Sequence, residues 1–161
     1  MSTVHHARLL LVITAVLLAV ACAPCGAHAE RAEPPSEGVR DISFDTIKFD
    51  MKKGDPFNRT LLTPAINKLE GKRILIRGYI LPSFQQKGIS KFVLVRDNME
   101  CCFGPGAALF DCIVVDMLPG ETTNFSVRPV AVKGKFSIKE LVLGGRHLAI
   151  YHLDGEKVDE P

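Results

Sequence analysis

No apolar run in this chain reaches the length of a membrane helix. The longest, residues 9–21 (LLLVITAVLLAVA), is about 13 residues, where a spanning helix needs about 20. An ordinary transmembrane anchor is therefore excluded. Behind Arg8, with Pro24 and then the small-x-small triplet Ala27-His28-Ala29 after it, the run reads as a signal peptide. Cleavage after Ala29 would leave Glu30 as the new N-terminus. The stretch Leu18-Ala19-Val20-Ala21-Cys22 competes with this reading as a lipobox in which Cys22 is acylated and kept as a membrane anchor. Ala19 stands where such motifs usually carry Leu, Val or Ile. Both outcomes place the domain outside the cytoplasm, periplasmic or secreted, as a released protein or an anchored lipoprotein.

The chain also lacks a basic block. Its 20 Lys and Arg are interspersed with 18 Asp and Glu, for a formal charge of +2. This excludes the electrostatic footprint of a nucleic-acid binder and leaves a protein partner in the envelope or a small ligand.

Cysteine is scarce, at five residues, and Cys22 and Cys25 lie in the leader. A chain released at Ala29 keeps Cys101, Cys102 and Cys112, an odd number in an oxidising compartment. All three lie in NMECCFGPGAALFDC. A disulfide from Cys101 or Cys102 to Cys112 would close a loop of about ten residues and stabilise by roughly 2 to 3 kcal/mol in the chain-entropy account. The same thiolates, completed by a histidine or water, suit a soft ion such as zinc or copper(I). As a third reading, Cys102 or Cys112 is simply a small buried apolar residue. Structural zinc sites space paired cysteines by two to four residues, so adjacent thiols count against the metal. The missing C-x-x-C at a helix start counts against a redox enzyme.

Catalytic motifs are missing as well. Gly104-Pro105-Gly106-Ala107 is not followed by the Lys-Ser/Thr pair of a phosphate loop, and reads as a turn. No serine or cysteine has a visible base and orienter, and no paired carboxylates stand out. His147 and His152 are five apart in one strand, hence on opposite faces, and cannot share one site. The expectation is a non-catalytic protein without an identifiable cofactor beyond zinc or copper.

What is present is period-two alternation. In KRILIRGYILP, Ile74, Ile76, Gly78 and Ile80 share one face, and the run stops at Pro82. KFVLVRD, CIVVDM, RPVAVKGKFSI and HLAIYHLD follow, separated by the turn-forming stretches SFQQKG, the cysteine loop, LPGETTN and LGG. A short helix is predicted at LLTPAINKLEG, with Thr63 as N-cap, Pro64 at the first helical position and Gly71 at the exit. ISFDTIKF, at residues 42–49, is read as extended, with Ile42, Phe44 and Phe49 covering the core.

These elements predict an all-β domain, a small five-stranded OB-like Greek-key barrel with one short helix, a small β-sandwich being the alternative. Gly78 is expected where the first strand bends to serve two sheets. The predicted organisation is a signal peptide over 1–29, a flexible Pro-rich lead-in over 30–40, the barrel over 41–155 and a tail over 156–161. If KFVLVRD and CIVVDM are antiparallel neighbours, the cysteine loop starts and ends at one edge of the sheet.

The order of FD, GKRILIRGYILPS, FVLVRDNMECC, IVVDM and RPVAVKGKF resembles a sequence-defined family of exported bacterial proteins of unknown function. That family carries a G-Y-x-x-P strand and a cysteine-bearing loop after an F-x-L-V strand, and the likeness spans roughly residues 44–153. In the family the loop reads Cys-x-His followed by a proline run, and some genes lie beside zinc-responsive ABC transporters. The resemblance implies an envelope role linked to metal handling or to a transporter. It places the family's cysteine on Cys101 and its histidine on Phe103, so this chain lacks that nitrogen ligand and carries Cys102 and Cys112 instead.

Overall fold

The computed structural model describes residues 38–51, 55–99 and 107–160. Six strands form one sheet: β1 (Arg40–Ile42), β2 (Arg73–Ile80), β3 (Lys91–Val95), β4 (Cys112–Met117), β5 (Val130–Leu143) and β6 (Arg146–Asp159). The predicted all-β class holds, with one strand more than the five read from the sequence. The extra strand is β1, followed by a 3-10 turn over Phe44–Ile47. The reading of residues 42–49 as one extended run is corrected here. Ser43 and Thr46 close the turn on each other, Thr46 N–H donating to the Ser43 carbonyl at 3.0 Å and Ser43 N–H to Thr46 Oγ1 at 3.3 Å. The turn buries Phe44 and Ile47 together, and Phe49 follows them into the core.

Helix α1 (Pro64–Asn67) forms as its caps dictate: Thr63 Oγ1 accepts from Ile66 N–H at 3.3 Å, and Pro64 occupies the first turn. Ile66 and Leu69 are buried beneath it.

The strands run in the order β1-β2-β3-β4-β6-β5, and β2 also pairs with β5, so the pairings return to β2. β1 with β2 and β4 with β6 are parallel; the other pairs are antiparallel. Residues 73–78 of β2 pair with β5, whereas Tyr79 and Ile80 pair with Val95 and Leu94 of β3. Gly78 is the switch point. A Cβ there would lie 2.6 Å from the Val95 carbonyl oxygen and 3.0 Å from both Leu94 Cγ and Phe44 Cε2. The missing side chain lets β3 and the Phe44 ring close onto β2.

Inside, Ile74, Ile76 and Ile80 meet Leu94, Ile113, Val115, Val132, Phe136, Tyr151 and Leu153, each worth about 1.5 to 3 kcal/mol on full burial. The Arg77–Asp41 pair at 2.7 Å is more than half exposed on both sides, and such pairs contribute little. β1 is therefore held by backbone pairing and by Ile42 packing on the core. At the far end β6 runs to Asp159 and pairs there with Ala131. Residues 156–159, read as tail, are strand, because Val158 opposite Val132 still has core to cover. Among the described residues no helix is long and apolar enough to cross a membrane.

Two outcomes follow for stability. Gly78→Ala should lower unfolding free energy by about 1 to 3 kcal/mol through overpacking, read as a shifted urea midpoint. Tyr151, fully buried with its hydroxyl donating to the Ile47 carbonyl at 2.7 Å, has its phenol pushed up by burial. Its stabilisation is complete below the unfolded phenol's pKa of about 10 and fades above it, where the unfolded chain ionises and the folded one keeps its proton. Urea midpoints measured across that range should fall for the wild type, and Tyr151→Phe should flatten the alkaline slope.

Candidate binding cleft

β3 ends at Val95, which pairs with Cys112 at the start of β4. The loop between them therefore starts and ends at one sheet edge, as the strand order predicted. Its closing residues form a 3-10 turn, Leu109–Asp111, pinned by Asp111 N–H to the Ala108 carbonyl at 2.9 Å and by Arg96 N–H to the Asp111 carbonyl at 3.0 Å. The Arg96 guanidinium reaches Asp45 at 2.8 Å and Asp111 at 3.6 Å, which joins this turn to the one after β1. Half-buried Cys112 has its Sγ 3.5 Å from the Ala108 carbonyl oxygen, as a thiol donor.

Beside this turn is a cleft of about 500 Å³ with three walls: Met51, Asp55 and Pro56; residues 107–109; and residues 145–147 at the β5–β6 turn. Under it runs a line of rings. Phe110 meets Phe49 edge-on at 5.3 Å, Phe49 meets Phe57 at 6.0 Å, and Phe57 meets the His147 imidazole edge-on at 5.4 Å. Three segments distant in sequence, around residues 49–57, 110 and 147, are thus locked together by aromatic contacts.

Polar contacts orient His147. Its Nε2 lies 2.8 Å from Glu140 Oε2 across the hairpin. Glu140 in turn lies 3.6 Å from Arg59, whose guanidinium also donates to the Ile138 carbonyl at 2.6 Å. An ionised carboxylate only accepts, so Nε2 is the donor, and whenever the ring is neutral the lone pair lies on Nδ1. The arrangement can accept a hydrogen bond, take a proton or donate to a soft metal, with Glu140 holding the ring.

His152 belongs to a different site, although a bulge in β6 interrupts the alternation between it and His147. It is 8% exposed and contacts Asp116 at 2.7 Å and Asp154 at 3.5 Å, with Lys91 at 2.9 Å from the same Asp116. Burial pushes the Asp116 carboxyl up, but the hydrogen bonds from His152 and Lys91, with their charges, outweigh it and hold the group below its ordinary value.

Cys101, Cys102 and Phe103, the Gly104-Pro105-Gly106 turn, Cys22, Ala29 and Glu30 lie outside the described residues. The disulfide and thiolate-metal readings therefore meet the structure only at Cys112, which stands at the root of the loop. Among the described residues no group of three or more His, Cys, Asp or Glu is placed to hold a metal. Sequence reasoning missed Glu140 and Phe57 as partners of His147 and Arg59 as the partner of Glu140. Glu140 is brought opposite by the hairpin, and the other two arrive from a segment about 90 residues before His147, with no local pattern to announce them.

No protein-family model and no curated protein matches the chain. Among solved structures it is similar to the crystal structure of a DUF3299 family protein from Pseudomonas aeruginosa. The two are 18% identical with a TM-score of 0.53, covering 76% of this chain and 95% of that one. At this identity the likeness is one of fold.

Removing the carboxylate beside His152 leaves a buried ring short of a partner. Asp116→Ala should therefore destabilise by roughly 1 to 3 kcal/mol, measured by urea unfolding at neutral pH. The wild-type advantage should shrink as acid protonates Asp116, because its depressed folded pKa stabilises only above the unfolded value of about 3.9.

Proposed function

We propose that the protein is an exported, non-catalytic binding or accessory module of the bacterial cell envelope. In this reading it is built on an OB-type Greek-key barrel and belongs to the uncharacterised family that its motif order resembles. Two features support the barrel: the double pairing of β2, and the parallel contact of β4 with β6 in a ring of otherwise antiparallel strands. The OB fold by itself hosts many functions. The cleft of about 500 Å³ carries the functional reading. It has the composition of a recognition site, mostly apolar walls with an oriented imidazole and few polar groups, and it adjoins the segment that closes the cysteine loop. Its occupant would be a small ligand or a side chain of an envelope protein. The resemblance points to metal handling or an ABC transporter as the setting.

A second reading, a thiol-based metal or redox protein using Cys101, Cys102 and Cys112 with zinc or copper, is favoured by one observation. Cys112 sits directly opposite Val95 where the loop returns to the sheet, so the third thiol stands at the root of the loop that carries the other two.

Protein made from the full chain in a Gram-negative host and purified from the envelope tests both readings by intact mass, thiol counting and metal analysis. The binding-module reading expects a chain starting at Glu30, or acylated at Cys22, with one thiol of the loop free and metal below stoichiometry. Stoichiometric zinc or copper that disappears with Cys101→Ser would replace it with the thiol reading. Uncleaved protein confined to the cytoplasm would refute export. Native mass spectra should show any co-purified ligand lost on His147→Ala.

A further inference from the structure

The β5–β6 hairpin outruns the sheet that supports it. β5 pairs with β2 only as far as Lys135, and β6 pairs with β4 only from His152 onward. All five residues from Lys139 to Leu143 are exposed. Three of them in a row are large and apolar, Leu141 at 47%, Val142 at 48% and Leu143 at 70% exposure, and Leu148 across the turn is at 49%. Gly144 and Gly145, with φ of 57° and 77°, make the tight turn that brings these side chains to a tip. Clustered apolar residues at a protruding tip mark an interaction site rather than scattered surface.

We propose that this tip is a membrane-contact element that dips into the interfacial layer of an anionic lipid surface. The direction of the strands is the first argument. β1 is parallel to β2 and β5 antiparallel to it, with Arg40 opposite Ile74 and Ile74 opposite Gly134. The chain therefore enters the domain from the same end toward which β5 projects, and the exposed stretch of β5 from Lys139 to Leu143 is about 16 Å long at roughly 3.3 Å per residue. The apolar run at residues 9–21 and the candidate acylation site Cys22 precede that entry. The 18 residues from Cys22 to Val39 can span up to about 60 Å, so a tethered domain can bring this end to the bilayer.

Charge is the second argument. Lys139 and Arg146 flank the tip, both exposed, and neither forms an ion pair among the described residues. Glu140, the acidic residue beside them, is engaged by Arg59 and His147. Two free cations around an apolar tip suit anionic headgroups. The same cations disfavour a second copy of the chain, because two-fold edge pairing of the hairpins would set like charges against each other. Depth is limited by the backbone: the open hairpin edges carry unpaired peptide groups that tolerate the interface but not the hydrocarbon.

The full chain carrying Cys22→Ala, processed at Ala29 and hence free of acyl lipid, is the material for the test. It should cosediment with vesicles of phosphatidylethanolamine and phosphatidylglycerol, weakly with phosphatidylcholine alone, and less at high salt. Leu141→Glu with Leu143→Glu should cut binding roughly tenfold or more with an unchanged circular dichroism spectrum; Leu148→Ser provides a milder second variant. Absence of cosedimentation, or binding that both variants leave intact, would overturn the proposal. A concentration-dependent dimer broken by Leu143→Glu, with no vesicle binding, would assign the tip to a second copy instead. Arg146 also lines the cleft, whereas Leu141, Leu143 and Leu148 do not, so these variants leave the cleft's wall residues in place.

Discussion

The structure depends on β2 pairing with three strands, β1, β3 and β5, along its length. Through residues 73–78 it pairs with β5, and from Tyr79 it pairs with β3. Gly78 makes this compatible with packing, since the space a Cβ would need is taken by the Val95 carbonyl, Leu94 and Phe44. Once β3 and β5 are both attached to β2, β4 and β6 complete the ring by parallel pairing, and the inward faces of all five strands point at one core. β5 repeats the device at Gly134, where the register shifts against β6 and the backbone of Asp154 and the Leu153 side chain crowd the missing Cβ.

Everything of functional interest is attached to that ring at one end. The 3-10 turns after β1 and before β4 are tied by Arg96 to Asp45 and Asp111, and within the core the Tyr151 hydroxyl donates to the Ile47 carbonyl. The line of rings from Phe110 to His147 then joins the turn before β4 to the β5–β6 hairpin. Aromatic edges and apolar burial do most of this work. The Arg59 contacts are largely exposed and so weak in energy, and their contribution is to orient Glu140 and, through it, His147. The result is a cleft whose one imidazole is held by a carboxylate, set between turns that aromatic contacts tie to the sheet.

Much of the frame was legible because period-two alternation is a local property. Ile74, Ile76, Gly78 and Ile80 do face inward, and Thr63-Pro64 does open a helix. The hairpin turn at Gly144-Gly145 stands where LGG predicted it. The first strand was misread because its burial follows a turn: Ser43 and Thr46 bond to each other, a choice that hydrophobic spacing does not encode. The last strand was cut short since Glu156, Lys157 and Val158 look like a polar tail unless Val132 is known to lie opposite. Parity was not a sound ground for separating His147 from His152, because the register shift at Leu141/Val142 puts a bulge in β6 between them and interrupts the alternation.

The sequence by itself determined five of the strands, which of their faces turn inward, and that Cys101, Cys102 and Cys112 gather in one stretch, since each of these follows from neighbours along the chain. Only the tertiary structure decided that β2 is shared between β3 and β5, that Glu140 and Phe57 meet at His147, and that Leu141, Val142 and Leu143 stay exposed near the β5–β6 turn. Those are contacts between segments tens of residues apart. They are chosen by how the whole core closes and by where the strands run out of partners, and no local pattern carries that information.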